Sequence, residues 1–216
     1  MRDHIEFFRQ FRRRFETTGA IAPSSRFLAA AMTEPLSRHN SPVRILEVGP
    51  GTGAVTRRIV KLLQPEDRFD LVELNETFAD LLRRRFAEHP DYRRAAARSR
   101  IHVCPIEEFP QNGTYDFIIS GLPLNNFPPD LVQRIFDAFF RLLAPSGVLS
   151  YFEYMFVRTL RRHVVGASER ERLGRLEEIL QQHLDRYRFR RDWVFVNFPP
   201  AWVQHLRAPN ENAPQT

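Results

Sequence analysis

The stretch Val43-Arg-Ile-Leu-Glu-Val-Gly-Pro-Gly-Thr-Gly-Ala54 decides the fold, because an apolar run ends at a carboxylate and then breaks into alternating glycines. Residues 43–48 are short and β-branched enough for a buried parallel strand, and residues 52–63 carry apolar side chains at helical spacing. Gly49, Gly51 and Gly53 therefore lie between a strand and a helix. A backbone without side chains can turn sharply there and lets a ligand approach the helix N-terminus.

Two acids near this turn indicate which ligand it takes. The glycine spacing also fits a dinucleotide site, but Glu47 at the strand end would repel a pyrophosphate. S-adenosylmethionine has no phosphate and carries an α-ammonium and a sulfonium, so it fits the carboxylate. Glu73 closes the next apolar run, where an acid can accept hydrogen bonds from ribose hydroxyls, or where it favours a helix start. The sequence predicts an S-adenosylmethionine site formed by Glu47, Gly49, Gly51, Gly53 and Glu73.

Length and composition predict one main domain. The chain has 216 residues, of which 43% are hydrophobic and 27% charged. We expect an extension of amphipathic helices at residues 1–35, a catalytic domain at residues 36–207 and a disordered polar tail at residues 208–216. The formal net charge of +6 is carried almost entirely by arginine, since Lys61 is the only lysine. This charge indicates an anionic partner, either a membrane surface or nucleic acid.

Several classes of site and segment are disfavoured. Cys104 is the only cysteine, so an internal disulfide cannot form. The seven histidines are scattered and no cysteine cluster could complete a site, so we predict no metal. No apolar segment approaches the roughly 20 residues that a spanning helix needs. A membrane contact of this chain would therefore be peripheral.

Strands alternate with helices along the chain. Because this pattern implies a parallel sheet with right-handed crossovers, we predict an α/β fold with a seven-stranded, mostly parallel sheet. The predicted strands are residues 43–48, 69–74, 101–104, 115–120, 147–153, 188–197 and 201–206, and the main helices are residues 52–63, 76–88, 129–143 and 168–184. Ser168 and Glu171 have the spacing of a capping box at the start of the last helix.

The N-terminal extension begins with a basic helix that has a phenylalanine face. Apolar residues recur at helical spacing, and arginines outnumber acids. Such a helix either packs its aromatics on the core or lies on an anionic membrane, where each basic residue adds roughly 1 kcal/mol. The predicted membrane-binding residues are Phe7, Phe8, Phe11, Arg12 and Phe15. A second helix at residues 24–32 is expected across the cofactor edge of the sheet.

Residues that follow the strands should meet at one edge, because open α/β sheets bind ligands beyond the carboxyl ends of their strands. Beside Glu73 we expect Leu74, and Ser120 ends the fourth strand; both are predicted cofactor contacts. Many methyltransferases have an aspartate after the third strand, where this chain has Pro105. We expect Ile106 to pack on the purine ring and Glu107 to take the polar role.

The loop Ser120-Gly-Leu-Pro-Leu-Asn-Asn-Phe127 is the predicted catalytic loop, because two of its features suit substrate positioning. Its proline and Pro128 stiffen the backbone around Asn125 and Asn126, whose carbonyls can accept hydrogen bonds from an amine. Phe127, Phe152 and Tyr154 could line a pocket for a methylammonium by cation–π attraction. Alternatively, the asparagines only form a turn and cap the next helix.

The chain resembles the bacterial phospholipid N-methyltransferases of the rhizobial type. The resemblance rests on Thr18-Gly-Ala-Ile-Ala-Pro-Ser-Ser25, Leu46-Glu-Val-Gly-Pro-Gly-Thr-Gly53, Ile119-Ser-Gly-Leu-Pro-Leu-Asn-Asn-Phe-Pro128, Tyr154 and Val196-Asn-Phe-Pro-Pro-Ala201. It implies a class I (Rossmann-like) methyltransferase that converts phosphatidylethanolamine stepwise to phosphatidylcholine. It further implies a peripheral enzyme on the cytoplasmic face of the cell membrane, whose N-terminal helix binds anionic lipid and covers the active site.

The chain departs from that family in two places. Met155 follows Tyr154 where the family commonly has glycine, and residues 158–163 are rich in arginine. Related enzymes methylate the terminal amine of ornithine lipids, so the head group stays open. Arg158, Arg161 and Arg162 are candidates for the lipid phosphate or simply a solvated basic face. Tyr154 and Asn125 are expected to hold the amine for direct methyl displacement.

Ribosomal RNA adenine dimethylation is the main competing function. Those enzymes share the glycine turn, but their catalytic loop is typically Asn-Leu-Pro-Tyr, whereas this chain has Gly121-Leu-Pro-Leu124. Leu124 cannot stack on a base, so nucleic acid is the less favoured partner. A membrane-binding module that has lost catalysis is the non-enzymatic alternative, and intact Glu47, Glu73 and glycines argue against it. The sequence carries no signal for an oligomeric state.

Overall fold

The computed structural model describes residues 26–111, 113–155, 166–197 and 199–209. The predicted membrane-binding helix, with Phe7, Phe8, Phe11, Arg12 and Phe15, lies outside the described residues. The same holds for Arg158, Arg161 and Arg162. Their proposed contacts with lipid therefore stay predictions.

One seven-stranded sheet forms the centre of the molecule, in the order β3-β2-β1-β4-β5-β7-β6. Neighbouring strands from β1 to β5 run parallel, whereas β7 pairs antiparallel with both β5 and β6. This arrangement confirms the predicted α/β fold with a mostly parallel sheet. The strands are β1 (Arg44–Val48), β2 (Arg68–Val72), β3 (Ser99–His102), β4 (Tyr115–Ser120), β5 (Leu143–Tyr154), β6 (Arg188–Val194) and β7 (Ala201–Arg207).

Helices connect the strands on both sides of the sheet. They are α1 (Arg26–Met32), α2 (Thr56–Leu62), α3 (Glu76–Glu88), α4 (Pro90–Arg93), α5 (Pro129–Leu142) and α6 (Ala167–Tyr187), with single 3-10 turns at Leu36–Arg38, Ala96–Arg98, Ile106–Glu108 and Leu124–Asn126. The described part of the chain contains no helix long and apolar enough to cross a bilayer.

Two predicted helix starts are wrong. The helix after the glycine turn begins at Thr56 rather than at residue 52, because the turn itself continues through residue 55. The last helix begins at Ala167 with Gly166 as its N-cap, and no side chain caps it. Ser168 therefore lies inside the helix and not at the N-cap position that the predicted capping box requires.

Alternating side chains of the strands point to opposite faces of the sheet, and each face packs in its own hydrophobic cluster. On one face Ile118 packs in a cluster with residues of α5 and α6, such as Phe136 and Leu180. On the other face Ile119 packs with residues of α1, α2 and α3, including Met32 and Ile59 from the first two. Because both faces are covered, the strands are apolar on both sides, as expected for a parallel sheet.

The predicted position of the first described helix and the predicted end of the ordered domain both need correction. Helix α1 packs against β5, β6 and β7 rather than across the ends of β1 and β2. It is held there by its apolar face, with Leu28 and Met32 fully buried. Ala208, which was assigned to the disordered tail, is buried and its N–H donates to Gly147 O at 2.9 Å. The ordered domain therefore extends beyond β7.

The loops that leave β1 and β4 touch through their backbones. Gly121 N donates to Val48 O at 2.8 Å. A Cβ added to Gly121 would lie 2.6 Å from Gly49 O, closer than side-chain atoms approach backbone. Only glycine therefore fits at position 121 without moving the glycine turn.

We expect Gly121→Ala to lower the free energy of unfolding by roughly 2 kcal/mol, because the added methyl group forces two backbone segments apart. Gly174→Ala is the matched control. A Cβ at Gly174 in α6 meets nothing within 4 Å, so this change should stabilise the helix by about 1 kcal/mol. Urea denaturation of both variants tests the prediction, and an unchanged midpoint for Gly121→Ala would contradict it.

Candidate functional site

The glycine turn after β1 has the conformation that its sequence requires. Gly49, Gly51 and Gly53 have φ angles of 68°, 56° and 74°, in the left-handed region that side chains disfavour. A Cβ at Gly49 would also lie 2.6 Å from Leu122 Cδ2. The bare backbone thus brings the turn close to the loop after β4. The three glycine N–H groups donate within the protein, to Val72 O, Glu73 Oε2 and Pro50 O.

Two side chains that sequence reasoning missed hold the turn from α3 and α4. Arg85 donates a short hydrogen bond to Thr52 O, and the buried Tyr92 hydroxyl donates to Gly53 O at 3.2 Å. Both residues lie more than thirty positions away from the turn in sequence. No local pattern signals such contacts, because only the packing of α3 and α4 brings these residues there.

Glu73 closes the turn at the end of β2. It is 3% exposed, and its Oε2 accepts from Gly51 N at 2.9 Å while its Oε1 accepts from Asn75 N at 2.8 Å. A carboxylate oxygen can accept more than one hydrogen bond, so these two bonds do not prevent an acid at this position from also accepting from ribose hydroxyls. The N-cap of α3 is Asn75, whose side chain accepts from Phe78 N at 3.3 Å. Asn75 therefore caps α3, and Glu73, which accepts from the Asn75 N–H, can also favour the helix start through its charge.

Glu47 is a buried acid whose hydrogen-bonding capacity is not fully satisfied. It is 1% exposed, and its Oε2 has no hydrogen-bond partner. Burial raises the pKa of Glu47 to about 8, although the nearby Thr56 hydroxyl and N–H lower it and Glu73 raises it further. The Thr56 hydroxyl itself lacks a partner with good hydrogen-bond geometry. A cationic group beside Glu47 would satisfy its free oxygen, so the residue fits the α-ammonium of S-adenosylmethionine.

Most of the predicted cofactor residues line one cleft beyond the ends of β1, β2 and β3. The cleft holds about 320 Å³ of empty space, part of it open to solvent, and is lined by Val48, Gly49, Val72, Glu73, Leu74, Cys104, Ile106, Glu107, Leu122 and Ile135. Glu73 and Glu107 supply the acids, and Leu74, Ile106 and Leu122 supply apolar walls suited to a purine ring. The structure therefore brings together five predicted residues from three segments, whereas Glu47, Gly51 and Gly53 are not among the residues that line the cleft.

Ser120 does not line this cleft. It is fully buried, and its Oγ accepts from Leu122 N at 3.3 Å. The prediction that its hydroxyl contacts the cofactor therefore receives no support from its position. The hydroxyl shapes the catalytic loop instead, since it satisfies a backbone N–H where β4 ends.

Asn125 and Asn126 form the 3-10 turn of the catalytic loop. Asn125 is 8% exposed, and its Oδ1 is buried without a hydrogen-bond partner. Asn126 is half-buried. Helix α5 has Pro128 as its N-cap, with no side chain capping it. The alternative that the asparagines cap this helix is therefore wrong.

The predicted aromatic pocket forms only in part. Phe152 and Tyr154 pack edge to face, with ring centroids 5.1 Å apart, and burial raises the pKa of the Tyr154 hydroxyl. The hydroxyl is protonated at neutral pH with or without this rise, so it can donate a hydrogen bond. Phe127 is fully buried in the hydrophobic cluster of the opposite face of the sheet. The structure therefore does not bring it together with the other two rings, and its position gives no support to its predicted role in substrate binding.

Comparison with known proteins identifies relatives that act as methyltransferases. Residues 45–147 match a family model described as a methyltransferase domain. The chain is 30% identical over 157 residues to ornithine lipid N-methyltransferase of Singulisphaera acidiphila, an alignment of 72% of this chain and 80% of that protein. It is 27% identical over 135 residues to ribosomal RNA small subunit methyltransferase A of Marinobacter nauticus, covering 61% of this chain and 43% of that protein.

Solved structures show the same fold. The N-methyltransferase NodS from Bradyrhizobium japonicum, in complex with S-adenosyl-L-homocysteine, superposes with a TM-score of 0.60 at 19% identity. The match covers 86% of this chain and 89% of NodS. The strand order, the glycine turn and the relatives all indicate the same family. This chain belongs to the class I S-adenosylmethionine-dependent methyltransferases, and S-adenosylmethionine is its cofactor.

Proposed function

We propose that this enzyme transfers methyl groups to the amine of a membrane lipid, and that ornithine lipid is its best-supported substrate. The similarity to ornithine lipid N-methyltransferase extends over 72% of the chain. It favours this head group over phosphatidylethanolamine, which the resemblance to rhizobial enzymes implied. The formal net charge of +6 also suits an anionic membrane surface.

The observation that carries the proposal is the unpartnered carbonyl of Asn125. A buried acceptor without a donor costs about 1–3 kcal/mol, which a ligand N–H could recover. Asn125 lies in the loop after β4, whose first glycine touches the glycine turn of the cofactor site. An amine held at this carbonyl would lie at the carboxyl edge of the sheet, on the side of β4 and β5.

The chain's own residues must bind and orient a neutral amine. S-adenosylmethionine, when bound by Glu47, Glu73 and the glycine turn, supplies an electrophilic methyl group on sulfur. If the lipid amine titrates near the lysine value of about 10.4, its deprotonation at pH 7 costs roughly 4–5 kcal/mol. The buried, largely apolar loop around Asn125 disfavours the ammonium form, and the Asn125 carbonyl accepts a hydrogen bond from the amine. We assign catalysis to orientation and desolvation, with release of the proton to water.

Tyr154 contributes a half-buried phenol at the end of β5. Its hydroxyl can donate a hydrogen bond to the lipid, and its ring offers a face to a methylated ammonium. The neighbouring Phe152 supports the ring from the side. This pair would therefore retain the amine as successive methyl groups are added.

Adenine methylation in RNA receives less support. Leu124 holds the position of the stacking aromatic in the ribosomal RNA enzymes, and it is 1% exposed, packed in the core. A side chain at that place can neither stack on a flipped base nor move to do so without opening the core. The chain also spans only 43% of the RNA methyltransferase with which it was compared.

Labelled S-adenosylmethionine should transfer its methyl group to vesicles that contain ornithine lipid. The expected product is N-methylated ornithine lipid, separated by thin-layer chromatography. Parallel reactions contain phosphatidylethanolamine vesicles with anionic lipid, and ribosomal RNA. Label in phosphatidylethanolamine alone would keep the mechanism and change the substrate, whereas label in RNA alone would overturn the proposal.

Asn125→Leu should lower kcat about 100-fold while leaving the Kd for S-adenosylmethionine within about twofold, because only the amine loses its acceptor. Asn125→Asp is the matched control, since its carboxylate can still accept a hydrogen bond. It should retain more activity than the leucine variant. Equal losses in both variants, at unchanged melting temperature, would exclude the acceptor role. Steady-state kinetics and calorimetric binding give the two quantities.

The proton on Glu47 should make stability depend on pH. Its folded pKa of about 8 lies above the ordinary value of 4.5 for a glutamate, so the native state binds the proton more tightly than the unfolded state. This contribution is complete below pH ~4.5 and is lost as the pH rises through about 8, by at most ~5 kcal/mol. Glu47→Gln should flatten that part of the stability curve, whereas Glu76→Gln on the exposed start of α3 should not.

The proton on Glu47 should also be detectable when S-adenosylmethionine binds. If a ligand cation stabilises the Glu47 carboxylate, S-adenosylmethionine binding at pH 7 releases a proton. The calorimetric heat should then vary with the ionisation enthalpy of the buffer, and this variation should vanish in Glu47→Gln. Buffer-independent heats in the unsubstituted enzyme would show that Glu47 does not titrate on binding.

A further inference from the structure

The hairpin formed by β6 and β7 carries a long stretch without charge. Residues 193–203 read Trp-Val-Phe-Val-Asn-Phe-Pro-Pro-Ala-Trp-Val, in a chain with 27% charged residues. The described residues of this stretch include the end of β6, the turn and the start of β7. We call β6, β7 and their turn the aromatic hairpin.

Large apolar side chains at the tip of the aromatic hairpin face solvent. Trp193 is 54% exposed, Phe195 66% and Val196 67%. The Trp193 and Phe195 rings stack with centroids 5.6 Å apart, and Trp193 meets Trp202 edge to face at 5.7 Å. The tip is therefore a preformed aromatic platform, and contiguous exposed apolar surface of this kind marks an interaction site.

The tip lies at the catalytic edge of the sheet. Val194 pairs with Ala201, and Ala201 pairs in turn with Tyr154 at the carboxyl end of β5. Met155 N also donates to Pro200 O at 2.8 Å. The platform is thus joined by backbone hydrogen bonds to the strand end that carries the proposed amine-binding tyrosine.

Charges along the hairpin are arranged for an anionic surface. The exposed Arg191 lies over the Trp202 ring at 5.4 Å, and the exposed Arg207 lies over Phe189 at 4.3 Å. Asp192 projects to the opposite face of the strand, where it accepts from Arg190 Nε at 2.8 Å. The face that bears the platform therefore presents Arg191 behind an uncharged tip, while Arg207 and Phe189 lie on the side of His205.

We propose that the aromatic hairpin is a lipid-docking element, with Trp193, Phe195 and Val196 entering the interfacial region of the bilayer. Tryptophan rings favour this region, and Arg191 would lie near lipid phosphates. Docking would seat the catalytic edge against the membrane from which the substrate amine must come. The inference rests on the proposed function for its choice of lipid as the occupant.

The two tryptophans of the chain make the proposal directly measurable, because Trp193 and Trp202 both belong to the hairpin. In the full-length Trp202→Phe variant, all tryptophan fluorescence reports on Trp193. Addition of vesicles of phosphatidylglycerol and phosphatidylcholine should shift its emission to shorter wavelength. Vesicles with brominated acyl chains should quench it. Unshifted and unquenched emission, with the protein shown bound to the vesicles by flotation, would overturn the proposal.

A matched pair of variants separates the tip from the rest of the strand. Phe195→Ser with Val196→Ser should lower vesicle partitioning about tenfold, since two exposed apolar side chains no longer leave water. Phe189→Ser removes an aromatic that is 43% exposed at the other end of β6, and it should change partitioning little. Equal effects of the two changes would contradict the assignment to the tip.

Activity measurements keep this inference distinct from the proposed function. The double serine variant should methylate detergent-dispersed aminolipid at the normal rate and vesicle-embedded aminolipid more slowly. Quenching without any aminolipid methylation would retain the docking element and reject the proposed function. Methylation of vesicle lipid without quenching would retain the proposed function and reject the docking element. A blue shift that depends on protein concentration in the absence of lipid would assign the platform to a second copy of the chain, and so overturn the proposal.

Discussion

The close backbone approach of the loops after β1 and β4 is the constraint on which the site depends. Gly49 N donates to Val72 O, and Gly121 N donates to Val48 O. These bonds extend the parallel ladder just past the strands, so the ends of three neighbouring strands stay in register where their loops diverge. Because Gly121 lies against Gly49 O, the catalytic loop and the cofactor turn behave as one unit.

Two acids at this edge have different electrostatic environments, and the difference assigns their roles. Both oxygens of Glu73 accept hydrogen bonds from backbone N–H groups, which fix the position of the carboxylate. A carboxylate held in this way suits neutral hydroxyl donors. Glu47 is buried with one oxygen unpartnered, and it holds its proton unless a cation arrives. The pair therefore suits a cofactor that combines a ribose with an ammonium group.

Strand order separates cofactor from substrate. The cofactor cleft is lined by residues at the ends of β1, β2 and β3, on one half of the sheet. β5 and the aromatic hairpin occupy the other half, because β7 pairs with β5 and β6 lies at the outer edge. Asn125 stands between the two halves, in the loop after β4. A lipid could thus approach from the hairpin side, while S-adenosylmethionine enters on the opposite side.

Local sequence determined the elements and the cofactor turn. Alternating glycines after a buried strand, strand–helix alternation and Glu73 at a strand end are short-range signals, since each reflects backbone geometry within one unit of the chain. They were sufficient to predict all seven strands and half of the residues that line the cleft. The starts of two helices were predicted less well. The turn after β1 delays the start of α2 to Thr56, and α6 begins after Gly166 without a side-chain cap.

Tertiary structure alone decided which predicted residues reach the site. Phe127 and Tyr154 are both aromatic residues near strand ends, yet packing places them on opposite faces of the sheet. Arg85 and Tyr92 support the glycine turn only because α3 and α4 fold back over it. The sequence by itself determined the fold and the cofactor, whose signals are local. Only the packed structure decided the burial of Glu47, the free carbonyl of Asn125 and the exposure of Trp193, because these depend on contacts between distant segments.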